Sequence, residues 1–295
     1  MSEKPLRGKV AVVTGATRGA GRGIAVMLGE AGATVYCTGR STRERGATPG
    51  RPETIEETAE MVTARGGVGI AVRVDHTVEE EVKALFERIR QEQDGRLDVL
   101  VNDVWGGDAL MGPWDRPFFE HTLANGLLMQ ERAVKSHLIT SHYGVPLMAE
   151  RRQGLVIEVT DGLDYKYRGN LYYSLAKIST IHLAEAMAAD LKPYGVTALA
   201  ITPGFLRSEE MLTHFGVTEA NWQEGAKKDP HFAQSETPYY IGMAVAALAA
   251  DSNVAVRSGK TFMSGDIAEE FGFRDVDGRQ PNWRAYYEKF LASRQ

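Results

Sequence analysis

Seven short apolar runs, separated by stretches of helical length, constrain this 295-residue chain more than any other feature. They are Val10–Thr14, Thr34–Thr38, Gly69–Val74, Val99–Asn102, Leu155–Val159, Thr197–Ile201 and Thr261–Met263. Each is rich in Val, Ile or Leu with little polar alternation, as expected of strands buried on both faces. Between them Arg22–Glu30, Glu53–Arg65, Glu79–Gln91, Asn170–Leu191 and Pro238–Ala249 have helical length and spacing. Such repetition reads as an α/β fold, a doubly wound parallel sheet of about seven strands with helices on both faces. Right-handed crossovers then fix most of the topology.

No internal repeat, low-complexity tract or Pro/Ser-rich linker interrupts the pattern, so a single domain over 1–295 is expected. Loop insertions are expected at Ser41–Pro52, which is basic, and at Gly106–Pro117, after the second and fourth runs. Near the end of the chain, Trp283, Tyr286, Tyr287 and Phe290 read as a packed tail.

A net charge of -5 argues against a nucleic-acid or anionic-membrane partner, which would favour clustered Lys and Arg. No apolar run approaches the ~20 residues that span a bilayer. The N-terminus lacks the apolar stretch of a signal peptide. The one cysteine, Cys37, cannot form an internal disulfide; a reducing, cytoplasmic compartment is expected, with Cys37 a small buried strand residue. The histidines show no ligand spacing with Cys or clustered acids, so no metal is expected.

The first run leads into Thr14-Gly15-Ala16-Thr17-Arg18-Gly19-Ala20-Gly21 and then a helix. Gly15 permits a tight turn, Gly19 lets the backbone approach a phosphate, and Gly21 lets the helix pack closely. The free N–H groups at Arg18–Gly21 suit a pyrophosphate. At the end of the second run an NAD-binding chain needs an acid for the ribose 2′-hydroxyl. Here stand Arg40 and Ser41. Arg40, with Arg18 opposite, could pair with a 2′-phosphate, which favours NADP(H).

Tyr173 and Lys177 stand at i and i+4, on one helix face. A phenol with a pKa of about 10 is a poor acid–base group at neutral pH. A nearby ammonium would favour its phenolate and bring it toward the working range.

With Thr14–Gly21, Asp75, Asn102, Tyr173–Lys177 and Pro203-Gly204 in order, the chain resembles the short-chain dehydrogenase/reductase family from about Arg7 to Met263. The resemblance implies a Rossmann-type fold and a catalytic Tyr173–Lys177 pair, Lys177 also holding the nicotinamide ribose. It implies that Asp75 and neighbouring His76 meet the adenine, and that Asn102, Pro203 and Gly204 lie along the cofactor. Ser208 stands where the family usually has Thr. Thr38-Gly39-Arg40, Arg96–Asn102 and Phe271–Arg279 are similar to one mammalian subgroup. The resemblance further implies a homodimer or homotetramer built on the fourth and fifth helices.

Three departures stand out. The family's Asn-Asn-Ala-Gly reads Asn102-Asp103-Val104-Trp105, and the position of its relay Asn falls on Ala133. The usual catalytic Ser is replaced: counting back from Tyr173 gives Thr160, while the strand register gives Asp161 and is favoured. Thr160 would preserve ordinary ketone chemistry, whereas an ionised Asp161 cannot donate to a carbonyl oxygen and would suit a cationic acceptor. Alternatively Asp161 only tightens the Asp161-Gly162 turn.

An aromatic-lined pocket for a small substrate is expected from Trp105, Trp114, Phe118, Phe119, Tyr167, Tyr172, Phe205, Met211 and Trp222. The expected activity is NADP(H)-dependent reduction of a carbonyl or imine on an apolar or aromatic substrate. A non-catalytic NADP-binding regulator, a dehydratase and an epimerase are the alternatives.

Overall fold

The computed structural model describes residues 4–293. All seven runs are strands: β1 (Val10–Val13), β2 (Thr34–Gly39), β3 (Val68–Arg73), β4 (Val99–Asn102), β5 (Gly154–Val159), β6 (Val196–Thr202) and β7 (Thr261–Met263). They form one sheet in the order β3-β2-β1-β4-β5-β6-β7. Every pairing is parallel.

Successive residues of a strand face opposite ways, and both faces are covered. From β1, Ala11 and Val13 join a core with Ile24 and Leu28 of α1 (Gly19–Glu30). Val10 and Val12 join a second core on the other face, with residues of α3 (Glu79–Glu92) such as Val82 and Phe86. The helix α2 (Ile55–Ala64) packs beside α1, and Cys37 is fully buried on β2. The expectation that every strand is buried on both faces fails at β3. It is an edge strand, like β7, with one neighbour, and its residues are exposed or half-buried.

Between β4 and β5 run α4 (Leu123–Gln130), a π turn (Glu131–Lys135) and α5 (Ser136–Arg151) without a break. Ala133 lies in the π turn. The long helix α6 (Leu171–Leu191) starts at Asn170, whose side chain accepts the Tyr173 amide. After β6 come α7 (Glu209–Phe215), α8 (Pro238–Ala250), α9 (Ser264–Phe271) and α10 (Trp283–Ala292). Helices α1 and α8 meet at glycines: a Cβ on Gly23 would lie 1.8 Å from the Pro238 carbonyl oxygen.

Strand order reverses at β1 and β4. In such sheets ligands occupy the crevice beyond the carboxyl ends of the strands around that switch point.

Candidate active site

A cavity of about 1190 Å³ opens there, lined by residues that follow six of the strands. From the glycine turn come Gly15, Thr17, Arg18, Gly19 and Ala20; from later strand ends come Arg40, Ser41, Asp75, Asp103, Thr160, Asp161, Pro203 and Gly204. Tyr173 and Lys177 of α6 also face it.

The glycines act by close approach. Gly15 has φ +68°, and a Cβ there would strike the Asp103 carbonyl oxygen at 2.4 Å. Gly21 does not line the cavity; a Cβ on it would lie 2.5 Å from the Gly15 oxygen and 2.8 Å from Asp103 Oδ2. Burial pushes the Asp103 carboxyl up to about 7, against the opposing pull of the Lys177 ammonium. The Gly19 amide donates to Glu209 Oε2 at 2.8 Å, so a carboxylate from α7 sits on the first turn of α1.

Arginines gather at the end of the cavity near β2. Arg18 contacts Glu53 and Thr48, but its Nη2 is buried with no hydrogen-bond partner among the described residues. Arg40 Nη1 stands 3.7 Å from Asp75 Oδ2. Burial alone would raise the Asp75 pKa; hydrogen bonds from Thr77 and the nearby Arg40 charge hold it below the usual range. Arg132 also lines this end. An orphaned buried guanidinium nitrogen fits an additional phosphate, so these residues are compatible with a phosphorylated dinucleotide.

Two expected cofactor side chains are already hydrogen-bonded within the protein, although His76 lines the cavity. Asn102 is fully buried and donates to Ser141 Oγ at 2.9 Å and Glu158 Oε1 at 2.7 Å, away from the cavity. His137 bridges the other Glu158 oxygen and the Val104 carbonyl, making a buried polar network beneath the site. His76 has both ring nitrogens engaged, by Thr38 and Thr140 hydroxyls at 2.8 Å each. No ring nitrogen is left for an adenine.

At the other end, the Tyr173 hydroxyl donates to Asp161 Oδ2 at 2.7 Å. Thr160 is buried, and its hydroxyl donates to the Lys177 carbonyl oxygen at 2.7 Å. Of the two residues left open by sequence, Asp161 therefore meets Tyr173. The Asp161-Gly162 turn does not use the Asp161 carboxylate; the Gly162 amide donates to Thr202 Oγ1, and Gly162 has φ +79°.

The expected lowering of the Tyr173 pKa is not what this geometry produces. Burial raises it, and the Asp161 charge and hydrogen bond raise it further. The Lys177 ammonium is turned onto the Trp105 indole, 4.2 Å from the ring centre. Burial lowers the Lys177 pKa, with Asp161, Asp103 and Asp108 opposing. Tyr173 is held as a protonated phenol.

The apolar wall partly matches expectation. Trp105, Phe205 and Met211 line the cavity, and Trp114 packs edge-on against Tyr173 at 5.3 Å. Tyr172 lines a smaller neighbouring hollow, while Phe118, Phe119 and Tyr167 are exposed. Trp222 is buried against Phe232, with the Arg207 and Arg279 guanidinium groups 4.1 and 4.4 Å from its ring centre. Sequence reasoning missed Trp283, Tyr287 and Phe290, which α10 brings to the cavity; their aromatic spacing was the available signal. It also missed Glu209, Asp108 and the His137–Glu158 pair, which no local pattern marks.

The model of the short chain dehydrogenase family matches residues 9–216. The chain belongs to the short-chain dehydrogenase/reductase family. Within it, the chain is 36% identical over 278 residues to dehydrogenase/reductase SDR family member 1 of Mus musculus, covering 93% of this chain and 85% of that protein. It falls in that subgroup. It is also 30% identical to the 3-oxoacyl-[acyl-carrier-protein] reductase of Aquifex aeolicus (strain VF5), over 70% of this chain and 77% of that one. Among solved structures, a hydroxysteroid dehydrogenase from Escherichia coli superposes with a TM-score of 0.70 at 24% identity, covering 90% of this chain and 98% of that one. A short chain dehydrogenase from Mycobacterium thermoresistibile reaches 0.76 at 21% identity, covering 92% and 90%. These two likenesses bear on the fold. Membership of the family makes the chain an oxidoreductase using a nicotinamide cofactor. Among the described residues no helix is long and apolar enough to cross a membrane.

Proposed function

We propose that the protein is an NADP(H)-dependent oxidoreductase that reduces a carbonyl or imine carbon of a small apolar or aromatic substrate. The observation that carries this reading is the layout of one cavity: Arg18 and Arg40 at one end, Tyr173, Lys177 and Asp161 at the other. Gly15, Thr17, Gly19 and Ala20 would hold the pyrophosphate, and Arg18, Arg40 and Ser41 the 2′-phosphate. Asp75 would meet the adenosine, and Pro203 and Gly204 the nicotinamide. Bound there, the reduced nicotinamide supplies hydride to an electrophilic carbon. Tyr173, kept protonated by burial and by Asp161, gives its proton to the heteroatom of a neutral acceptor. Lys177 orients the ribose once it leaves the Trp105 ring. Trp105, Phe205, Trp283 and Tyr287 hold the hydrocarbon part and exclude water.

Exposed Leu123, Leu127, Leu138, Leu171 and Leu175 on α4, α5 and α6 suit self-association as a homodimer or homotetramer. The single buried cysteine suits a cytoplasmic setting.

The test is NADPH oxidation across ketones, quinones and imines, with Tyr173→Phe as control. Turnover of the ketones and quinones should fall about 100- to 10,000-fold in the variant, with NADPH binding retained. A second reading, an NADP-binding protein without catalysis, draws on the engagement of Tyr173 by Asp161 and of Lys177 by Trp105. It prevails if NADPH binds to both forms and neither oxidises it.

A further inference from the structure

Resting on that proposed reading, we infer that the acceptor is cationic: an iminium or protonated amine-bearing substrate whose nitrogen is held by Asp161 between aromatic rings. Two carboxylates, Asp161 and Asp108, line the cavity beside Tyr173, and both act on the Tyr173 phenol and the Lys177 ammonium. Asp161 is solvent-accessible within the cavity and accepts the Tyr173 proton at 2.7 Å. Asp108 accepts from Trp105 Nε1 at 2.8 Å, which fixes the indole across the site. The Trp105 and Trp114 rings meet Tyr173 edge-on, at 5.4 and 5.3 Å between centres.

A neutral ketone fits this arrangement poorly. Its oxygen gains negative charge as it is reduced, beside a carboxyl group that already takes the Tyr173 proton and holds it away from the acceptor. A cationic nitrogen reverses the sign. Its N–H can donate to the free lone pairs of Asp161, and its charge can lie against an indole face, as the Lys177 ammonium does at 4.2 Å from the Trp105 ring centre. The carboxylate also favours the protonated form of an imine, which is the better electrophile. Reduction adds hydride from the reduced nicotinamide to the iminium carbon and moves the C=N pair onto nitrogen. The product is a neutral amine, and Tyr173 keeps its proton. The carboxylate has no competing duty in the Asp161-Gly162 turn, whose amide is satisfied by Thr202.

The experiment compares dihydroisoquinoline with tetralone, an imine and a neutral ketone of similar bicyclic skeleton, in the wild type, Asp161→Ser and Asp161→Asn. Calorimetry measures binding of the saturated amine, tetrahydroisoquinoline, to the same proteins. The wild type should prefer the imine, and both variants should lose roughly 10- to 100-fold of that preference, the size of a hydrogen bond to a charged group. Their affinity for the amine should fall by a similar factor, with NADPH binding showing that they are folded. An imine-to-ketone ratio and amine affinity unchanged in both variants would overturn the inference. If phenanthrenequinone is then still reduced in a Tyr173-dependent way, the proposed oxidoreductase survives without it. If no acceptor oxidises NADPH, that oxidoreductase reading fails, and the amine-binding arm alone decides whether Asp161 is a cation site.

Discussion

The Glu209 carboxylate rests on the Gly19 amide at 2.8 Å, on the first turn of α1, where the glycine turn offers its N–H groups to a phosphate. Glu209 belongs to α7, which Ser208 caps by accepting the Met211 amide at 3.3 Å. A side chain thus occupies ground that a pyrophosphate would need. In the proposed binding mode, the segment after β6 would release that contact before the dinucleotide seats.

Glu209→Gln should therefore tighten NADP(H) binding. An anion at a helix N-terminus contributes about 0.3–1 kcal/mol, so the dissociation constant should drop roughly two- to fivefold. A fluorescence titration reads this directly. An unchanged or weaker affinity would show that the carboxylate and the cofactor do not compete.

Arg18→Ala and Arg40→Ala should separate the two nicotinamide cofactors. Each should weaken NADPH about tenfold or more, the loss of a charge-assisted hydrogen bond, and leave NADH nearly untouched. Equal weakening of both cofactors would place the arginines on some other group.

Two buried groups give the stability curve opposite slopes. Burial, then the His137 charge, pushes His76 down to about 3, while in the unfolded chain it titrates near 6.5. The unfolded state binds that proton first, so stability falls as pH drops from about 6.5 toward 3. Burial pushes Glu236 up to about 8, so its contribution is full below about 4.5 and is lost as pH rises to about 8. Urea unfolding at pH 5, 7 and 8 should show His76→Gln losing about 2 kcal/mol less than wild type between pH 7 and 5. Glu236→Gln should flatten the alkaline side instead. Parallel curves for all three proteins would mean that neither group is responsible.

His137→Ala leaves the fully buried Glu158 with Asn102 as its remaining side-chain partner. The cost should be about 3 kcal/mol, seen as a fall in Tm on the order of 10 °C. Replacing both residues together, His137→Phe with Glu158→Leu, should cost less than the single change, because no carboxyl is then stranded. A double variant as unstable as the sum of two single ones would refute that account.

The parallel sheet was legible because strands buried on both faces must be nearly all apolar, and the runs from Val10 to Met263 are. The start of α6 was legible for a local reason, the cap at Asn170. At the end of β5 the sequence left a choice between Thr160 and Asp161. Neighbouring residues leave a strand end on opposite sides, and only the fold shows which side Tyr173 occupies. Asn102 and His76 were assigned to the cofactor by position, but their side chains are committed to Glu158, Ser141, Thr38 and Thr140, partners distant in sequence. The helix α10 was read as mere packing because proximity to the cavity depends on how the segment after β7 folds back.

Charge along the cavity is balanced locally, and this has a kinetic meaning. Arg18 pairs with Glu53 and Arg40 with Asp75, while Lys177 stands among the carboxylates beside Tyr173. Opposite charges so close cancel at a distance, so an approaching dinucleotide would feel little field until its phosphates reach the guanidinium groups. Capture would then depend on exchanging partners at contact, and added salt would slow association little, even with a screening length of about 3 Å at 1 M.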